Sequence, residues 1–289
     1  MSWLRCLSAI AVLVFATVVI VDSQSRPSAG PQTPQPPAAK TASNPNPTSA
    51  AESRVNAPLK DKFPEGQTYT YGVDWRLLTA GVTIARFDTV NGERHVVVEA
   101  DSTGAVALLY HVHDRLETFF NPQSNCALSL IKHTEEGFRR VETSVRYDYS
   151  RKRAILDERN IRAKNQKHEE NDIPSCVTNT VSAALYVGTQ PLQPGTRFVF
   201  PSSDGGKAAD IEVTVEGQEK VKAASTSYNT IRVSAQALNG PQKGKGKIWI
   251  WYSDDERRVA VQMRLRAFWG TVTFHLLQIG NTTTEKAGE

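Results

Sequence analysis

The chain has 289 residues, with 34 Lys and Arg against 30 Asp and Glu, for a net charge of +4. The excess is small and spread along the sequence, so it makes no basic stripe of the kind that nucleic-acid binding requires. An apolar start and a proline-rich stretch take up the first ~58 positions. Roughly 220 residues remain, an ordinary size for one all-β sandwich or barrel and enough to bury a stable core without metals.

At the N-terminus, Arg5 precedes an apolar run from Leu7 to Val21 that only Ser8 and Thr17 interrupt, and "DSQS" follows. Residues 1–23 read as a secretory signal, with Val21 and Ser23 fitting the small-residue positions of a cleavage site. The run of about 15 residues falls short of the ~20 that span a bilayer comfortably. An uncleaved N-terminal anchor, giving membrane contact through this segment, is the competing reading. Both readings export the rest of the chain to the periplasm or cell envelope. Residues 24–58 are dominated by Pro, Ser, Ala and Asn, with almost no large apolar side chains. Such a segment buries too little to offset its ordering entropy, so it reads as a disordered tether.

From residue 59 to 280 the pattern is that of strands, and residues 281–289 read as a tail. In "TYTYGVDWRLL", Tyr69, Tyr71, Val73, Trp75 and Leu77 share one parity and the polar residues the other, the mark of a half-buried strand. Asn91-Gly92 is a hairpin signal, because both positions of its turn need positive φ. Further turns are predicted at Glu136-Gly137 and Ser203–Gly206. Ile211, Val213 and Val215 alternate with polar residues, as do Ile231, Val233 and Ala235, and Val272, Phe274 and Leu276. About a dozen strands joined by short polar turns predict an all-β fold, a single curved antiparallel sheet or barrel-like domain.

One segment breaks the rhythm. "DIPSCVTNTVSAALYVG" has Pro174 near its start and Gly188 at its end, and predicts the one substantial helix, about three turns long. Val177, Val181, Ala184 and Leu185 would face inward, with Thr178 and Ser182 nearer the outside. Cys126 and Cys176 form a pair in an oxidising compartment. Either they are bridged, or they are two buried thiols too far apart to join.

In "KIWIWYS", Ile248, Ile250 and Tyr252 fill one face and Trp249 and Trp251 the other. A strand apolar on both faces needs a cover on both. The tryptophans are expected either under the helix as core, or lining an open groove with Leu185 and Tyr186.

The stretches "YTYGVDWRLLTAGVTIARFD", "VTNTVSAALYVGTQPLQPGTRFVFP" and "KGKIWIWYSDDERRVAVQMRLRAFWGTVTFHLL" carry a resemblance to the bacterial family called domain of unknown function 3108. The resemblance runs from Phe63 to Ile279. The strand after the acidic turn departs from it, reading Val259-Ala260-Val261 where a proline is expected. The resemblance implies exported envelope proteins with a β-rich, barrel-like fold, and supplies no activity and no catalytic residue.

The polar residues form no catalytic signature: GxSxG, Walker-type, HExxH and dinucleotide fingerprints are all missing. His111 and His113 sit at i and i+2 beside Asp114, but a third metal ligand at suitable spacing is lacking. Asp254-Asp255-Glu256, Glu135-Glu136 and Glu169-Glu170 read as polar turns or solvated strand ends, not as carboxyls held across a cleft. Arg264 and Arg266 with the basic turn Lys243–Lys247 read as a solvated face, or as a small cationic patch for anionic lipid head groups or acidic envelope polymers. The expectation is a non-enzymatic envelope protein without metal or cofactor. It would bind an apolar or amphipathic molecule such as a lipid in a groove of the sheet. The alternatives are a structural or protein-interaction module without a small ligand, and a hydrolase of an envelope polymer.

Overall fold

The computed structural model describes residues 62–76, 78–267 and 270–282. The expected signal or anchor, the tether, most of the tail and Leu77 lie outside the described residues. Fourteen strands form one antiparallel sheet in the order β8-β7-β6-β5-β4-β3-β2-β1-β14-β13-β12-β11-β10-β9. In chain order these are β1 Gln67–Trp75, β2 Leu78–Val90, β3 Glu93–Ser102, β4 Val112–Phe120, β5 Ala127–Glu136, β6 Arg139–Asp148 and β7 Arg153–Asn160. They continue as β8 Asn165–Asp172, β9 Arg197–Ser202, β10 Ala209–Ala223, β11 Thr226–Ala237, β12 Gly246–Ser253, β13 Ala260–Ala267 and β14 Gly270–Asn281. Helix α1 is Gly104–Leu109, and α2, Thr180–Thr189, lies between β8 and β9.

The topology is a meander with one exception. Sequence neighbours pair throughout except β8 and β9, and β1 also pairs with β14, from Gln67↔Asn281 to Trp75↔Val272. The first and last strands thus meet in mid-sheet, and the two edges fall to β8 and β9, where the chain leaves the sheet to build α2. The β1–β14 seam breaks register at Thr70/Tyr71, β10–β11 at Val215/Gly217 and β12–β13 at Trp251/Tyr252. Such bulges raise local twist and bend a sheet, here without closing it.

Alternation sets the two faces. Tyr69, Tyr71, Phe87, Leu116, Leu130 and Phe274 are buried on the concave side. Val213, Val215, Ile231, Val233, Ile250 and Tyr252 form a second buried cluster on the same side. The Asn91-Gly92 turn has both residues at positive φ, 52° and 81°, as its hairpin requires.

Helix α2 fills the concavity between the clusters. It begins at Thr180, later than the sequence reading placed it, because Asn179 caps it: its side chain accepts from the Val181 and Ser182 backbone N–H groups. Val181 and Leu185 pack toward the first cluster, and Tyr186 and Val187 belong to the second. Thr178 and Ser182, expected outside, are fully buried. The sheet surrounds the segment, so it has no wet side there. Thr178 bonds Pro201 and Ser203 through its backbone, while the Ser182 hydroxyl accepts from the Asn179 N–H. Cys126 and Cys176 are bridged, with Cα atoms 5.2 Å apart. The bridge ties the β4–β5 turn to the strand-like lead into α2.

The hairpins sort into two ends. At the terminal end the described chain enters and leaves, with the Thr282 N–H donating to the Gly66 carbonyl. The β2–β3, β4–β5, β6–β7, β10–β11 and β12–β13 turns share that end. The far end carries α1 and the β1–β2, β5–β6, β7–β8 and β11–β12 connections, whereas the β9–β10 connection folds into the concavity, where the Tyr147 hydroxyl donates to the Ser203 carbonyl and Gly205 packs on Val145 and Leu156.

Candidate functional site

The four residues expected to share a groove lie on opposite faces of the sheet. Tyr186 is fully buried in the concavity with Phe200 against it, ring centroids 4.9 Å apart, and Leu185 packs beside it. The Tyr252 hydroxyl donates to the Ala184 carbonyl at 2.6 Å, so the helix covers the Ile250 and Tyr252 face of β12. Trp249 and Trp251 point the other way, onto the convex face, and the helix does not cover them.

Their cover is polar. Trp251 Nε1 donates to Glu219 Oε1 at 2.6 Å, and Trp249 Nε1 to Glu216 Oε1 at 3.3 Å. Arg232 ties those carboxylates together, 2.8 Å from Glu216 and 2.9 Å from Glu219. Lys247 lies over the Trp249 ring at 5.1 Å and Arg264 over the Trp251 ring at 5.3 Å. The aliphatic stems of these cations shed water from the indoles while their charged heads stay wet. Trp251 is only 5% exposed. Sequence parity located this arrangement, but apart from Lys247 on β12 itself the covering side chains come from β10, β11 and β13 and show no local spacing.

The histidines are dispersed. His113 Nδ1 lies 2.6 Å from Asp101 Oδ1 on the exposed convex face, and this hydrogen bond raises the pKa of the imidazole. His168 is raised in the same way by Asp157. Among the described residues, no group of three or more His, Cys, Asp or Glu side chains could hold a metal. In the acidic turn, Asp255 accepts from the Arg257 and Arg258 backbone N–H groups, which is the local turn chemistry expected there.

Sequence spacing missed one polar cluster. Asp114 and Glu136 follow the parity of the core residues Leu116 and Leu130 and face the concave side at the far end, beneath the loop that carries Tyr110. Burial pushes Asp114 up to about 8, and the charge of Glu136 adds to that. Burial likewise lifts Glu136 to about 7, with Arg139, 3.5 Å away, opposing. The Tyr110 phenol rises to about 12, from burial first and then from the two carboxylates. Among the described residues, two open recesses are lined by polar side chains. The larger, about 440 Å³, lies among Thr68, Thr70, Arg86 and Gln278 on the outer side of the β1–β14 seam, and does not reach the tryptophans.

The family called "Protein of unknown function (DUF3108)" matches residues 70–277. The chain belongs to this family. Among curated proteins none matches it. Of solved structures, the β-barrel-like DUF1849 protein from Brucella abortus is similar at a TM-score of 0.55 and 7% identity, over 79% of this chain and 99% of that one. An assigned exported protein with a YmcC-like fold from Bacteroides fragilis gives 0.35 and 10%, over 76% and 97%. An assigned lipoprotein from Parabacteroides distasonis gives 0.36 and 10%, over 76% and 100%. The Brucella likeness shows a shared fold and nothing about activity. In this DUF3108 member the departure at Val259-Ala260-Val261 is accommodated: Val259 is buried, and its N–H donates to the Ser253 hydroxyl.

Proposed function

We propose that the protein is a non-enzymatic interaction module of the cell envelope, working through its outer surface and holding no small ligand inside the curved sheet. The observation that carries this reading is the filled concavity. Tyr186, Phe120, Phe200, Leu130, Ile231 and Leu276 are essentially fully buried where a lipid groove would lie. The groove residues Trp249 and Trp251 are engaged with Glu216 and Glu219 on the other face. The edge strands β8 and β9 and the exposed apolar side chains of the far end leave surface for a partner. The Cys126–Cys176 bridge and the signal-like start support an oxidising location.

Native mass spectrometry of the protein purified from its own envelope tests the reading. The expected spectrum shows the bare polypeptide mass. A stoichiometric lipid-sized adduct that a Tyr186→Ala or Leu185→Ala substitution removes would overturn it in favour of an internal ligand.

A further inference from the structure

The far end of the sheet differs from the terminal end in what its loops expose. Leu108 and Leu109 of α1 are 89% and 78% exposed, and Phe138 in the β5–β6 turn is 76% exposed. Leu78, at the start of β2, and Ile161, in the β7–β8 connection, are exposed as well. These tips are neighbours. The Thr103 N–H donates to Ala80 beside α1, and Gly137 packs on Tyr110 just after it. Arg162 lies 4.9 Å from the Phe138 ring centroid.

Charge follows the same asymmetry. The far-end connections carry Arg76, Arg162, Lys164, Lys243 and Lys245. Among the described residues these connections hold no carboxylate, and the exposed Asp101 near the far end of β3 is engaged with His113 at 2.6 Å. At the terminal end, Glu65, Asp254, Asp255 and Glu256 offset the basic residues of the turns there.

We propose that the far end docks on the surface of an anionic lipid bilayer, with Leu108, Leu109 and Phe138 entering the head-group layer and the surrounding Arg and Lys meeting phosphates. This deepens the reading above, since it names one partner for an outer surface. Apolar tips separated by basic residues suit a fluid interface. Successive hairpin tips stand about 10 Å apart, at twice the strand spacing, and so do not make one flat patch. A rigid protein partner calls instead for contiguous complementary area. The described chain enters and leaves at the opposite end, where the Thr282 N–H meets the Gly66 carbonyl.

The test is hydrogen exchange of the full chain with vesicles of phosphatidylcholine alone, or containing about a third phosphatidylglycerol. Reading exchange by segment separates the far end from any anchoring by the N-terminal run. Anionic vesicles are expected to slow exchange on the order of tenfold at residues 104–110 and 137–139, less so at high salt, and to leave residues 90–93 unchanged. Leu108→Asp with Leu109→Asp should abolish that protection at both segments, whereas Val90→Asp at the other end should not. Absent protection, protection equal on neutral vesicles, or protection that survives the double substitution would each overturn the proposal. The mass of the protein recovered from the vesicles separates the two readings. A retained lipid counts against the empty interior, whereas lost protection with a bare mass counts against docking alone.

Discussion

The two faces of β12 keep their large side chains from water by different physics. On the concave side, Ile250 and Tyr252 meet a helix and lose water to packed hydrocarbon. On the convex side, one residue away, Trp249 and Trp251 lose it to Glu216, Glu219, Arg232, Lys247 and Arg264. The first cover is rigid and dense, so a void in it stays a void. The second is made of long side chains that rearrange, and water can refill it. The convex face continues this way around the sheet, with Arg86, Glu99, Arg115 and Glu117 linked across β2, β3 and β4.

The contrast breaks first on the concave side. Tyr186→Ala empties a fully buried aromatic site and should cost about 4–5 kcal/mol in a urea unfolding curve. Reducing the Cys126–Cys176 bridge, whose cysteines are 50 residues apart, should cost roughly 3–4 kcal/mol by chain entropy. Unfolding midpoints with and without reductant would measure it. Trp251→Ala on the convex side should cost less, about 2–3 kcal/mol, because the covering cations collapse toward the gap. A loss equal to that of Tyr186→Ala would show that the two faces are equally rigid.

A pH series sharpens the same comparison at the far end. The Asp114 carboxyl has a folded pKa raised to about 8 from 3.8, so between those values the folded state holds a proton that the unfolded chain has released. Its contribution therefore falls as pH rises through that window and stays low above it. His113, raised by Asp101 on the convex face, adds stability at low pH that is also lost as pH rises. Asp114→Asn should flatten the decline up to about pH 8, whereas Asp101→Asn should act only around the imidazole range. Thermal midpoints across the series would separate the two. The smallest effect is expected for Glu99→Gln, which loosens a partly exposed ion network and should shift stability by less than about 1 kcal/mol.

Alternation made the strands legible. Tyr69 and Tyr71, Val213 and Val215, and Phe274 and Leu276 are core as their parity required, because a strand turns every second side chain to one face wherever it pairs. The Asn91-Gly92 turn was equally local. The helix was visible but its wet and dry sides were not. Sidedness depends on what surrounds a helix, and here the sheet wraps it so that Ser182 is as dry as Tyr186. The same limit hid the Asp114 and Glu136 pair, which are 22 positions apart and meet only through the β4–β5 pairing of Val112 with Glu136 and Asp114 with Thr134.

By itself the sequence determined the class of fold, the approximate strands, the two-sided character of β12 and the cysteines available to pair. These follow from periodicity and backbone preference, which act over a few residues. Only the tertiary structure decided that β1 closes against β14, that α2 occupies the concavity, and that charged side chains shield the two tryptophans. Each depends on contacts between residues far apart in the chain, and local periodicity carries no information about which distant surfaces meet.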